Sequence, residues 1–269
     1  MSSRRGMGAL VAAGLVLSTT GASGGAISAE EVMRRNEEAR RVRDITSSAT
    51  LTTTREGEDA KTKAFTWWRK LSDDGVHFHI LTRFALPAEI RGEGILIDEH
   101  ATENEILLYL PRFKKVRRVE GQSQSASFMG SVFSYSDIAD PHARDYKHAL
   151  LRSEPCPGSP GIACHVVEST PATDAVKERT GYARMVQWIR SDNFVTVRGE
   201  LFDASGALWK RLAAADVREV DPREHRFLAH TVRIEDVRSK RATVLAFGEV
   251  KVNAGIPDAT FTQQNLARE

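Results

Sequence analysis

Cysteine is scarce in this chain, and so are tyrosine, tryptophan and proline: two Cys, four Tyr, four Trp and nine Pro in 269 residues. Two cysteines exclude a disulfide-dense scaffold and a four-thiolate zinc site. An excess of one charge is also lacking, with 38 Lys+Arg against 36 Asp+Glu. The surplus is Arg4 and Arg5, in an N-terminal segment without acids, and the rest of the chain is balanced. A nucleic-acid binder would be more basic. Catalytic signatures are missing too: there is no G-x-S-x-G strand-to-helix elbow, no H-E-x-x-H and no phosphate-cradling glycine loop. Acidic residues are plentiful but scattered. The chain therefore reads as non-enzymatic, with no cofactor and no catalytic residue. His77 and His79 form an H-x-H pair without a third ligand, so no metal is expected and both histidines read as solvent-facing.

No apolar run is long enough to span a bilayer. The apolar stretch near the N-terminus, Leu10 to Leu17, follows Arg4 and Arg5 and precedes small residues. That is the pattern of a cleavable export signal over residues 1–26, with cleavage after Ala26. No cysteine stands near the cleavage point, so the product is not a lipoprotein. Residues 27–269 then form one exported domain, in the periplasm. In that oxidising compartment Cys156 and Cys164, flanking Pro-Gly-Ser-Pro-Gly-Ile-Ala, are expected to pair.

The periodicity that is present is mostly that of strands. Ser28 to Arg43 is the exception: a Ser-x-x-Glu cap opens a helical stripe of Val32, Met33, Ala39 and Val42. After it, apolar residues recur at period two. Val76, Phe78, Ile80 and Phe84 share one face; Val195, Val197 and Leu201 another run; then Leu228, Val232 and Ile234; then Val244, Ala246, Val250 and Val252. Asp73-Asp74-Gly75, Asp203-Ala204-Ser205-Gly206 and Asp221-Pro222 mark turns between them. The spacing predicts an antiparallel meander of about eleven or twelve strands, and a sheet that large curls, splits or closes. Pro257 to Leu266 reads as a short terminal helix with Phe261 inward.

One stretch breaks the pattern. From Tyr109 to Ile138 the chain passes from a strand end into a basic run, Lys114, Lys115, Arg117 and Arg118, then a polar linker, then Phe128, Met129, Phe133 and Tyr135 among Gly130, Ser131 and Ser134. The aromatic segment has no strand period, as befits either a movable lid or a buried loop plug, and Met adapts to variable apolar ligands. Trp67 or Trp68, Phe78, Phe84, Leu108 and Trp188 are candidates for the wall of an apolar pocket or for its core. The basic run reads as a solvated hairpin, a contact for anionic headgroups or a docking face for an acidic partner.

Leu108 to Pro111, Arg118 with Val119, and Ser127 to Asp137 together resemble the LolA/LolB-like outer-membrane lipoprotein-sorting proteins of Gram-negative bacteria. Tyr182, Trp188, Gly206, Lys210 and the closing Ile256 to Phe261 follow in the same order. The resemblance covers roughly residues 30–268. It implies a mainly β fold, an unclosed half-barrel of one curved antiparallel sheet with a few lid helices. It also implies a soluble periplasmic carrier whose apolar pocket holds lipid or lipoprotein acyl chains, with transient contact at a membrane surface. Members of this branch accompany RND-type inner-membrane exporters, so the alternative is an accessory protein of such an exporter. Phe128, Met129, Phe133, Tyr135, Trp67, Phe84 and Trp188 would line the lid and pocket. Lys114, Lys115, Arg117 and Arg118 would dock a partner or headgroup.

The export reading makes the first prediction. N-terminal sequencing of the secreted protein is expected to begin at or near Ile27; an intact Met1 in a membrane fraction would contradict it.

Overall fold

Alternating side chains build strands from residue 44 onward. The computed structural model describes residues 27–100, 104–139 and 142–268, so the export segment 1–26 lies outside the described residues. The first six strands are β1 (Asp44–Arg55), β2 (Glu58–Leu71), β3 (Phe78–Leu86), β4 (Gly94–Asp98), β5 (Glu105–Leu110) and β6 (Lys115–Arg118). The other seven are β7 (Tyr146–Pro155), β8 (Ala163–Pro171), β9 (Tyr182–Arg190), β10 (Thr196–Asp203), β11 (Leu208–Asp221), β12 (Arg226–Asp236) and β13 (Arg241–Val252). All of them join one antiparallel sheet in the order β6-β5-β4-β3-β2-β1-β13-β12-β11-β10-β9-β8-β7. Each strand pairs with its sequence neighbour, except where β1 pairs with β13. The sheet is unclosed, with β6 and β7 as its edges.

This topology explains the aperiodic stretch. The chain leaves the sheet at one edge, after Arg118, and must re-enter at the opposite edge, at Tyr146. It crosses over one face of the sheet, which we call the inner face. The crossing is made of 3-10 turns at Gly121–Ser125, Phe128–Gly130 and Ala143–Asp145, with one short helix between them.

The inner face carries the largest core cluster. Ile45, Leu51, Phe65, Phe84 and Ile234 pack there against Phe128, Val132 and Phe133 of the crossing. Further along the same face lies the first helix, α1 (Ala29–Ala39), whose Val32 and Met33 meet Val167 and Ile189. Ser28 caps it by accepting a hydrogen bond from Glu31 N at 3.1 Å. The helix stops at Ala39, short of the Arg43 expected from periodicity, and Val42 instead packs in the main core cluster as the chain turns into β1.

The outer face has its own covers. Leu81, Leu96 and Tyr109 are covered by Ile256, Phe261 and Leu266 of the C-terminal segment. That segment holds a 3-10 turn, Asp258–Phe261, and a short helix, Gln263–Leu266. A Cβ at Gly94 would stand 2.7 Å from the Leu266 side chain, which would have to shift, so glycine suits this close approach of the segment to the sheet. Arg83 donates to the Asn265 carbonyl at 2.8 Å and so anchors the same segment.

Two expectations about faces need correction. On β13 the inward residues are Leu245 and Phe247, then Val250 and Val252, rather than Val244 and Ala246. The register against β1 shifts between Ser47 and Ala49, a bulge beside Gly248 that switches which parity faces inward. The histidines also differ from the solvent-facing reading. His77 is buried between Asp74 and Arg144, with 2.7 Å to Arg144 Nη2, and His79 contacts Asp98 Oδ1 at 2.6 Å. A nearby carboxylate, Asp98, raises the pKa of His79.

Cys156 and Cys164 form a disulfide with Cα atoms 4.8 Å apart, closing the turn between β7 and β8. Both are buried against Val166 and Trp188. Closing a loop this short stabilises by about 2–3 kcal/mol in the chain-entropy account. At ~2–4 °C per kcal/mol for a chain of this size, Cys156→Ser with Cys164→Ser is expected to lower the melting temperature by about 4–12 °C. A thermal melt unchanged by the double substitution would contradict this.

Candidate functional site

Between the sheet's inner face and the crossing segment lies a cavity of about 320 Å³. Its floor comes from inward positions of successive strands: Phe65 and Trp67 on β2, Leu201 on β10, Leu212 on β11, and Leu245 and Phe247 on β13. Its roof is Phe128, Phe133 and Ile138 of the crossing. Asn36 of α1 and Arg40 just beyond its end, with Arg69, Gln187 and Glu200, add polar groups to the lining. Asn36 Nδ2 donates to the Phe194 carbonyl at 2.6 Å and to Thr196 Oγ1 at 3.1 Å. The Arg69 guanidinium lies 3.6 Å from the Phe78 ring centroid, a cation–π contact.

The roof is built from local hydrogen bonds. Phe128 N donates to the Phe133 carbonyl at 2.7 Å and Ser127 Oγ to the Ser131 carbonyl at 2.6 Å, folding 127–134 into a tight loop. Met129 and Gly130 at its tip have φ of 50° and 73°. Glycine takes this left-handed region freely, whereas Met129 is strained there. The loop is tied to β13, because Thr243 Oγ1 accepts from Val132 N at 3.0 Å and Arg241 donates to the Gly130 carbonyl at 2.6 Å. Next comes the helix α2 (Tyr135–Ile138), which opens with a capping box. Ser134 Oγ accepts from Asp137 N at 3.1 Å, while Asp137 Oδ2 accepts from Ser134 N at 2.8 Å.

Asp137 does more than cap its helix. Tyr182 on β9 donates its hydroxyl to Asp137 Oδ1 at 2.7 Å. Lys210 on β11 donates to Asp137 Oδ2 at 3.0 Å and to the Tyr182 oxygen at 2.9 Å. The Lys210 side chain is 3% exposed and that of Asp137 11%. Lys210 Nζ also lies 4.6 Å from the Trp209 ring centroid. A buried charge is tolerated only when paired and hydrogen-bonded, and here each member bonds to both others. Burial and the Asp137 carboxylate push the Tyr182 phenol well above its ordinary pKa, so it stays a neutral donor. The triad thereby bolts the roof helix to two strands of the floor.

The structure separates the candidate pocket residues. Phe128, Phe133 and Trp67 line the cavity. Phe128 is fully buried, with its ring 6.3 Å from that of Phe84 and 5.5 Å from that of Tyr135. It is therefore core as well as roof, and a charge there would unfold the protein rather than merely open a lid. Tyr135 and Phe84 are buried behind the lining and support it. Met129 sits half-buried at the loop tip and does not line the cavity. Trp188 faces the other way, since β9 presents Met185 and Gln187 inward. Trp188 packs on the outer face beside the disulfide, with the Arg198 guanidinium 4.4 Å from its ring centroid. Of the other candidates, Phe78 and Leu108 join the main inner cluster and Trp68 packs on the outer one.

Lys114, Lys115, Arg117 and Arg118 lie on the β5–β6 hairpin at the sheet edge, away from the cavity lining. Arg118 reaches Glu105 at 3.5 Å. Phe113 at the tip of the hairpin is 61% exposed.

Sequence reasoning missed the triad as a unit. One signal for it exists: Lys210 occupies an inward position between Leu208 and Leu212, where a solvated lysine has no place. Lys210→Met is expected to cost about 3–5 kcal/mol, because Asp137 would keep its charge without a cation. The double substitution Lys210→Met with Asp137→Asn removes both charges and is expected to recover more than half of that loss. Urea denaturation of both variants measures it, and equal losses would contradict the ion-pair account.

Solved structures share this architecture. A DUF1329 family protein from Desulfovibrio piger matches at 27% identity and a TM-score of 0.81, over 88% of this chain and 97% of that one. A proposed outer membrane lipoprotein-sorting protein domain from Vibrio parahaemolyticus matches at 22% identity and a TM-score of 0.80, over 89% and 98%. A LolA superfamily protein from Nitrosomonas europaea matches at 20% identity and a TM-score of 0.70, over 89% and 100%. No curated protein matches the chain. The unclosed thirteen-stranded sheet is thus a LolA-like fold. A family model described as "Uncharacterized protein" matches residues 78–268, and the chain belongs to that family, DUF1329.

Proposed function

We propose that the protein is a non-enzymatic periplasmic carrier that buries the acyl part of a lipid or lipidated ligand in the cavity beneath the crossing segment. The observation that carries this reading is the cavity itself. An accessory protein with a packed interior needs no space of about 320 Å³ lined by Phe65, Trp67, Leu201, Leu212 and Phe247. Apolar ligands gain by leaving water without directional chemistry, and sites of this kind are concave, mostly apolar and largely pre-formed. The relative from Vibrio parahaemolyticus, described as a lipoprotein-sorting domain, points the same way.

Handover in this reading uses the hairpin between β5 and β6. Arg112, Lys114, Lys115 and Arg117 form no ion pair among the described residues, and Phe113 projects between them. A cluster of that kind suits an anionic membrane surface or the acidic face of an inner-membrane exporter. The same surface is what favours the second reading, an accessory protein of an RND-type exporter that carries no lipid.

Two measurements test the carrier reading. Native mass spectrometry of protein purified from its own periplasm is expected to show a bound lipid. Ala214 lines the cavity and is only half-buried, so Ala214→Trp is expected to fill the space without disturbing the core. It should weaken binding of a fluorescent fatty-acyl probe at least tenfold, about 1.4 kcal/mol, with the melting temperature held or raised. A wild-type protein that binds neither lipid nor probe would favour the accessory reading.

A further inference from the structure

The crossing is fastened a second time where it re-enters the sheet, and there the fastening turns on a proton. Four parts of the chain converge on His142, just before the turn at Ala143–Asp145. The helix α1 brings Glu37, with Arg41 just beyond its end. Glu99 follows β4, and His77 precedes β3. His142 is 6% exposed and Glu99 2%, so water screens little of the interaction between them.

His142 has a carboxylate beside each ring nitrogen. Nδ1 stands 3.5 Å from Glu37 Oε1, and Nε2 stands 3.7 Å from Glu99 Oε2. A neutral imidazole carries one N–H and one lone pair, so one of the two carboxylates would face a lone pair. With both nitrogens protonated, both contacts are attractive. Phe78 N donates to Glu99 Oε2 at 2.9 Å, which favours the carboxylate and leaves the proton on His142. Glu37 is held too, by Ala143 N at 3.3 Å and Arg41 Nη2 at 3.2 Å. Burial pushes the Glu37 carboxyl up, but the hydrogen bonds from His142 and Ala143 N outweigh it and hold the group below its ordinary range.

His77 has the opposite surroundings. Its ring meets that of His142 edge-on, with centroids 5.2 Å apart. Nδ1 is hydrogen-bonded to Asp74, and Nε2 accepts from Arg144 Nη2 at 2.7 Å. A guanidinium has donors only, so Nε2 keeps its lone pair. Among the described residues the charges around His142 are thus Glu37, Glu99 and Arg41, with Asp74 and Arg144 beyond His77. Asp98, next to Glu99, is engaged by His79. Asp74 and Arg144 offset each other. Two carboxylates, the Arg41 guanidinium and an imidazolium also sum to zero, whereas a neutral His142 leaves a buried negative charge uncompensated.

We propose that Glu37, His142 and Glu99 form a proton-operated clasp on the exit of the crossing: it holds while His142 is charged, and the segment around His142 lifts from α1 and the sheet when the proton leaves. Ala139, three residues earlier, and Asn36, next to Glu37, both line the cavity, so the clasp governs one side of its cover. The triad still bolts α2. The inference does not depend on what the cavity holds. The folded chain binds this proton more tightly than the unfolded chain does. The fastening is therefore complete below about pH 6.5, the ordinary histidine value, and is lost as pH rises past the folded midpoint.

The test uses the mature chain without ligand. Histidine ¹⁵N resonances report the charge on each ring, and His142 is expected to titrate about one unit or more above the ordinary value of ~6.5. Hydrogen exchange, corrected for its intrinsic pH dependence, is expected to show residues 142–146 opening about tenfold more at pH 9 than at pH 6, with α2 little changed. His142→Gln cannot carry the charge and is expected to open equally at both pH values. Near-UV circular dichroism reports whether that variant is folded. Glu37→Gln, at a partly exposed helix position, removes one carboxylate and is expected to lower the His142 midpoint while reducing the pH effect on exchange.

A His142 ring that is neutral at pH 7 would overturn the clasp. So would exchange at residues 142–146 that does not differ between pH 6 and pH 9, or a pH effect that survives intact in Glu37→Gln or in folded His142→Gln.

Discussion

The path of the chain from one sheet edge to the other governs the rest of the molecule. Six strands build outward from β1 to β6, and seven build from β7 back to β13, which pairs with β1. The two meanders share a seam in the middle of the sheet, so the linker between them has to bridge the full width. Side chains of the linker meet the inward residues of both meanders at once. That single requirement creates the roof, the partly covered pocket beneath it and the need for a polar fastening. A meander without the crossing would have an open, wet inner face.

The fastening is unusual in being ionic within an apolar setting. A hydrophobic contact would hold the roof with a soft, graded potential, since burial is non-directional. A buried pair with a shared phenol behaves differently, because its three hydrogen bonds tolerate little displacement. The roof is accordingly closer to a two-position element than to a flexible flap. The polar groups from α1 contribute at the lining too, where Asn36 binds the Phe194 carbonyl and Thr196, so the rigid geometry extends to both helix and strand sides of the cavity.

Much of the fold could be read from residue order. Period-two runs such as Phe78, Ile80 and Phe84 are on one face, as their alternation demands, and the break in period from residue 119 onward marks the crossing. The reading failed where a local irregularity reset the count. The bulge near Gly248 exchanged the roles of Val244 and Leu245, and nothing in a single sequence announces which glycine in a strand is a bulge. Trp188 shows a second limit. Large and aromatic, it was equally eligible for either face, and only its pairing with β8 and β10 decides that it points toward the disulfide. The triad shows a third. Asp137, Tyr182 and Lys210 are far apart in sequence, and three-body contacts are invisible to periodicity, although a lysine at an inward position was a readable anomaly. The tip of the hairpin was legible as charge but not as shape: that Phe113 stands clear of the sheet depends on the 3-10 turn that follows Leu110.

The pairing of β1 with β13 has a consequence for how the protein is made. The first strand of the sheet waits for the last one, so a central ladder, Ile45 to Val252 through Arg55 to Arg241, cannot form until nearly the whole chain is available. Contacts of such long sequence separation are slow to establish. In the interval both β1 and β12 present unpaired backbone edges, which are templates for pairing with other chains. A polypeptide interrupted before β13 would keep two half-sheets with raw edges and no seam. Synthesis therefore has to be nearly completed, and the new chain kept apart from its neighbours, before the seam that joins the two halves of the cavity floor can form.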